Sequence, residues 1–257
     1  MAVFTCRFQA LLDAVATRRS RASAATVAAA VLIAVAAAPQ AARAAGGAFA
    51  VDDAGVDEVG ACKVESWVSF AGNHDFIGTV APACVANLGR PVEVGVQFQR
   101  FRDAGAWGTT VTLKGKTNFL PIEPGRLGLG LSGGVTHDLT NGVTNGVFLN
   151  VPFTFAVNEA LRVNVNGGWL WDPSVGQHFA TWGAGFEWSF AKPFTLIGEV
   201  FGVAGDGVDR DPRAQLGLRF TPVESLDIDV IYGRNITGEH ANWITVGLNF
   251  RFNVLNR

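Results

Sequence analysis

Four histidines, a cysteine pair and scattered charges are the groups that could carry chemistry in this chain of 257 residues. His74-Asp75 and His137-Asp138 are adjacent pairs, and His178 and His240 lie in similarly polar stretches. Such residues could activate water or hold a metal. Neighbours on a strand point to opposite faces, however, so neither pair is a dyad by itself. No His-Glu-x-x-His motif occurs and no Gly-x-Ser-x-Gly elbow is read. We therefore expect no enzyme, no catalytic residue, no metal and no cofactor.

The charges are more informative because they keep step with an apolar pattern. Lys63, Glu65, Glu93, Lys114, Lys116, Arg126, Arg162, Glu187, Glu199, Arg219, Asp227, Asp229 and Arg251 alternate with Leu, Val, Ile, Phe and Trp. Ile244, Val246, Leu248, Phe250 and Phe252 alternate with Thr245, Gly247, Asn249 and Arg251. Leu161, Val163 and Val165 alternate with Arg162, Asn164 and Asn166. A period of two is the signature of strands. It predicts about twelve, with ten or fourteen as alternatives. They fall at roughly 62–70, 76–86, 92–102, 107–119, 126–137, 145–156, 160–171, 179–190, 194–204, 213–221, 225–234 and 242–252.

The joints between these strands alternate in character. Asn87–Pro91, Leu120–Gly125, Val157–Glu159, Ala191–Pro193 and Thr221–Glu224 are tight. Ala71–Asp75, Asp103–Ala106, Asp138–Thr144, Asp172–His178, Gly205–Pro212 and Asn235–Ala241 are looser and more polar. Short turns at one end and longer loops at the other mark a transmembrane, antiparallel up-and-down β-barrel of the outer-membrane type.

A soluble sandwich or barrel would alternate too, but with a charge-rich outer face. Here charged residues are only 16% of the chain while Gly, Asn, Thr and Ser fill the polar parity. That balance favours a lipid-facing exterior and a polar lumen lined by the thirteen charges named above. Both signs occur, so the lining serves either as a selectivity filter or as a salt-bridged filling. Trp107, Trp169, Trp171, Trp182, Tyr232 and Trp243 fall beside the looser loops. Phe119, Phe153, Phe155, Trp188, Phe190, Phe194, Phe220, Phe250 and Phe252 fall toward the tight-turn end. Two aromatic girdles are the expectation.

Cys62 and Cys84 stand symmetrically about Asn73, so a hairpin centred there opposes them within disulfide range. Pro82 lies in the same strand and could disturb that register.

The ends divide into parts. Arg18, Arg19 and Arg21 precede the uncharged run Ala24 to Ala38 and the small-residue site Ala42-Arg43-Ala44. This order reads as a signal peptide over residues 1–44, used by the general secretory route. Its removal leaves 15 basic and 21 acidic side chains and only two cysteines. Residues 45–61, with Asp52, Asp53, Asp57 and Glu58 among Gly and Ala, read as a flexible periplasmic lead-in that could instead plug the pore. Residues 62–257 form the barrel. The low charge excludes a disordered protein, and the absence of a basic stripe argues against nucleic acid.

The ending from Trp243 to Phe252 resembles the final-strand insertion signal of bacterial outer-membrane proteins, although five residues follow Phe252. This resemblance implies that Phe250 and Phe252 are read by the barrel-assembly machinery. Tyr232-Gly233-Arg234-Asn235-Ile236-Thr237-Gly238-Glu239, Lys63-Val64-Glu65-Ser66-Trp67 and Leu170-Trp171-Asp172 look like outer-membrane proteins grouped with a phenol meta-degradation transporter-like family. That resemblance implies a barrel in the outer membrane of a Gram-negative bacterium that passes small, hydrophobic or aromatic solutes. The expected partners are outer-membrane lipid, the assembly machinery and small solutes. A non-conducting structural or surface-interaction barrel and a surface hydrolase are the other readings.

Overall fold

A computed structural model describes residues 47–205, 212–237 and 241–254. The predicted signal segment and His240 lie outside the described residues. Twelve antiparallel strands close into one barrel. They are β1 (Ala61–Ala71), β2 (Phe76–Asn87), β3 (Pro91–Asp103), β4 (Ala106–Leu120), β5 (Leu127–Asp138), β6 (Val143–Ala156), β7 (Leu161–Asp172), β8 (Gln177–Ala191), β9 (Phe194–Gly205), β10 (Arg213–Val223), β11 (Leu226–Asn235) and β12 (Asn242–Asn253). Each pairs with its neighbours in sequence, and β1 closes on β12 without a register break, from Ala61↔Asn253 to Ala71↔Trp243. Every predicted strand is present, with bounds displaced by at most two residues. Closure leaves no open edge, which lipid would not tolerate.

The faces are those of a barrel built for lipid. Leu248 is 48% exposed while its neighbour Asn249 is 2% exposed. Val230 is 54% exposed beside Asp229 at 0%. Val163, Trp188 and Phe250 are likewise exposed, and Arg162 is buried. A soluble sandwich would reverse these pairs, so that alternative is excluded.

Aromatic rings collect at both ends of the wall. Phe70, Phe76 and Trp107 form a chain at the looser-loop end, with centroids 5.3 and 5.8 Å apart. Trp188, Phe190, Phe194 and Phe220 form another at the tight-turn end, at 5.6, 6.5 and 5.2 Å. Trp243 corrects the girdle expectation. It shares the parity of the buried Thr245 and Asn249, and its ring lies over Gly233 on the inner face.

Cys62 and Cys84 are directly opposed, 4.0 Å apart at Cα, and joined by a disulfide. Pro82 leaves the β1–β2 register continuous. The gap appears on its other side, where β2–β3 pairing skips from Val80↔Phe98 to Ala83↔Gly95. A proline lacks one ladder donor, and here the missing one faced β3. In the Asn87–Pro91 turn, Gly89 takes φ +84°, and its amide donates to Asn87 Oδ1 at 3.1 Å. Glycine adopts that left-handed geometry without a Cβ clash.

Candidate functional site

The segment ahead of β1 takes the second course that the sequence leaves open: it is a strap across the lumen rather than a flexible lead-in. Val51, Asp53 and Ala54 are 1%, 0% and 0% exposed. Its course follows from backbone groups that need partners and find wall side chains. The amides of Ala50 and Val51 donate to Glu199 of β9 at 2.9 and 3.2 Å. Asn166 of β7 closes a reciprocal pair with Asp52, accepting from its amide at 2.7 Å and donating to its carbonyl at 2.6 Å. The Ala54 amide donates to Thr154 of β6 at 2.9 Å.

The acids of the strap meet wall cations. Lys116 Nζ lies 2.6 Å from Asp52 and 3.1 Å from Asp53. Arg162 lies 3.5 Å from Asp53. Phe49 lies over the Arg219 guanidinium, 5.4 Å from centroid to Cζ. Wall glycines make room for the strap. A Cβ on Gly183 would stand 2.8 Å from Val51, and one on Gly217 would stand 2.8 Å from Phe49.

Of the thirteen residues predicted to line the lumen, Arg126 alone does not. It precedes β5 in the turn, its side chain is 74% exposed, and it pairs with Glu123 at 2.7 Å. The others face inward and join into networks. Lys63 bridges Glu65 and Glu93 at 3.3 and 3.1 Å. Lys114 lies 4.0 Å from Glu65. Arg219 grips Asp229 with two bonds of 2.8 and 2.9 Å and approaches Asp227 at 3.8 Å. Arg251 takes Asp227 at 2.5 Å. Glu187 accepts from Asn164 at 2.7 Å, and Glu199 accepts from Gln215 at 2.7 Å. The other buried charges are thus ion-paired, while Glu187 and Glu199 are held by neutral donors. The strap acceptors Thr154 and Asn166 lie outside the predicted lining, although Asn166 shares the parity of Arg162.

The filling is incomplete. Between the strap and the wall from β1 to β8 lies a cavity of about 420 Å³. Lys63, Glu65, Glu93, Lys114 and Lys116 line it together with Trp67, Gln97, Phe148 and Asn150. Its chemistry is mixed: paired charges, amides and the rings of Phe49, Trp67 and Phe148.

The three described histidines do not converge. His74 sits in the β1–β2 turn at φ 71°. His137 contacts Thr144 at 3.4 Å. His178 stacks between Trp169 and Trp171, with centroids 5.6 and 5.9 Å away. Asp138 is committed to its own turn, accepting from Thr140, Asn141 and the Asn141 side chain. Among the described residues no group of three His, Cys, Asp or Glu could hold a metal. Gly130-Leu131-Ser132-Gly133-Gly134 does have Gly-x-Ser-x-Gly spacing. It runs through the middle of β5, with no strand-to-helix turn to present a nucleophile.

Three solved structures that share this fold are two porins and a channel. The NanC porin superposes with a TM-score of 0.58 at 8% identity, over 73% of this chain and 98% of the porin. The KdgM porin in complex with disordered oligogalacturonate gives 0.58 at 9%, over 74% of this chain and 99% of that one. The COG4313 outer membrane channel from Pseudomonas putida F1 gives 0.56 at 16%, over 77% and 97%. At such identities the likeness is one of fold. No protein of curated function matches the sequence. A family model described as "Uncharacterised conserved protein UCP029691" matches residues 32–252. The chain, a porin-like β-barrel, therefore belongs to that family.

Proposed function

We propose that this barrel is a passive channel for small solutes in the outer membrane of a Gram-negative bacterium, aromatic solutes among them. The observation that carries this reading is the cavity of about 420 Å³ left inside a charged, hydrogen-bonded lumen whose outer wall is apolar. Solute enters between the longer loops and diffuses down its gradient past the polar lining. No cofactor is needed. Residues 1–44 direct export through the general secretory route, and the assembly machinery reads Phe250 and Phe252. The aromatic solute class draws on the resemblance to the phenol meta-degradation transporter-like proteins and on the rings beside the cavity.

A second reading has its own support. The strap is bonded to wall residues of β4, β6, β7 and β9, which would suit a closed, structural barrel. Planar-bilayer recording separates the two. Discrete current steps and arabinose uptake into proteoliposomes support the channel. A flat trace without uptake supports the structural barrel.

A further inference from the structure

Resting on the channel reading, we propose that the lumen cavity is a binding site for small organic anions with a planar apolar body, such as aromatic carboxylates. Lys114 holds the carboxylate, while Phe148 and Trp67 cover the ring.

The three cavity lysines are not equivalent. Lys63 is held at about 3 Å by two glutamates, and Lys116 by two aspartates. Their side chains are 14% and 10% exposed. Lys114 has a single ion-pair partner among the described residues, Glu65 at 4.0 Å, and that glutamate already serves Lys63. The Lys114 side chain is 28% exposed, so its ammonium is the cation open to a guest.

The wall around Lys114 has been stripped of side-chain bulk. One continuous register row runs Lys63, Ala83, Gly95, Lys114, Gly134, Phe148. Lys114 therefore stands between two glycines. The Phe148 ring leans over Gly134, where a Cβ would meet it at 2.8 Å. An apolar ring and an underpaired ammonium thus line one cavity, with Trp67 on the same wall. An anion gains a charge-assisted hydrogen bond there. A flat apolar body gains ring contact that a simple anion cannot. A cation would meet Lys114 unfavourably, and Glu65 and Glu93 are already taken by Lys63. The volume lies within the usual range of small-molecule sites, roughly 300–1,000 Å³.

Calorimetric titration of the folded full-length barrel in detergent with benzoate, benzamide, benzylammonium and acetate tests this. Benzoate is expected to bind saturably, and benzamide about tenfold or more weaker, the scale of one charge-assisted bond. Acetate and benzylammonium should bind more weakly than benzoate. Lys114→Gln should bring benzoate to the benzamide level, and Lys114→Arg should restore the preference. Heat-modifiable gel migration confirms that each variant is folded. Should Lys114→Gln not fold, Phe148→Ala carries the test by weakening benzoate and benzamide alike. The site is overturned if benzoate binds no better than benzamide, or if Lys114→Gln leaves the preference intact. Arabinose entry into proteoliposomes keeps the two readings apart. Benzoate binding without arabinose entry removes the channel and leaves the site. Arabinose entry without benzoate preference removes the site and leaves the channel.

Discussion

Lys116 of β4 reaches Asp53 of the strap at 3.1 Å, across a separation of 63 positions in sequence. Arg162 approaches the same carboxylate from β7, and Asp53 is completely buried between them. This contact joins the segment ahead of the barrel to two strands of its wall and makes Asp53 the pin of the strap.

Replacing that pin should loosen the strap. Asp53→Ala leaves Lys116 with Asp52 but strips Arg162 of its ion partner. Removing one member of a buried pair costs about 3–5 kcal/mol, with Lys116 retaining part of its compensation. The heat-modifiability transition should fall, and single-channel conductance should rise above that of the unaltered chain. Unchanged conductance with a lowered transition would mean that the strap does not constrict the path.

A change without charge should act the same way. Gly183→Ala places a Cβ 2.8 Å from Val51 Cγ2, too close for either atom. Overpacking of this kind costs about 1–3 kcal/mol. Val51 is β-branched and buried, so the strap must shift. Larger current steps in Gly183→Ala, with the charge lining intact, would attribute the constriction to the strap itself.

Arg219 and Asp229 are directly opposed across β10 and β11 and share two hydrogen bonds. Arg219→Ala takes the ion partner from the buried Asp229, and Asp229→Ala leaves Arg219 with the more distant Asp227. The double variant should be less destabilised than the two single effects combined, with a coupling of about 1–3 kcal/mol. Denaturant titration of the four proteins in micelles measures it. Additive effects would show that the pair acts independently.

The disulfide should stabilise without gating. It closes a loop over a sequence separation of 22, for which chain entropy gives about 3 kcal/mol. Reduction should lower the unfolding transition and leave conductance unaltered, because Cys84 faces outward, away from the lumen. A conductance change on reduction would contradict this.

The wall was legible in the sequence because a period of two needs only neighbours. Leu248 against Asn249 and Arg162 against Val163 announce their faces locally. The same parity explains the disulfide, since the symmetry of Cys62 and Cys84 about Asn73 survives when no bulge intervenes. Parity also contained the answer for Trp243. It lies two residues from Thr245, so it turns inward despite its place near a loop. Arg126 departs from the pattern because it stands one residue before β5, in a turn where strand parity no longer applies. The path of the strap was beyond local pattern. Asp52 and Asp53 among glycines and alanines have no period, and their partners Lys116 and Arg162 are distant in the chain. A buried acid such as Asp53 becomes legible only when the cations that compensate it are in place.

Nitroxide labels at Leu248→Cys and Lys114→Cys in the bilayer-reconstituted barrel test whether the apolar parity faces lipid and the charged parity a water-lined lumen. The label at position 248 should relax with oxygen dissolved in lipid and ignore a water-soluble nickel chelate. The label at position 114 should respond to the chelate and not to oxygen. The reverse pattern, or chelate access at both positions, would contradict a lipid-facing exterior.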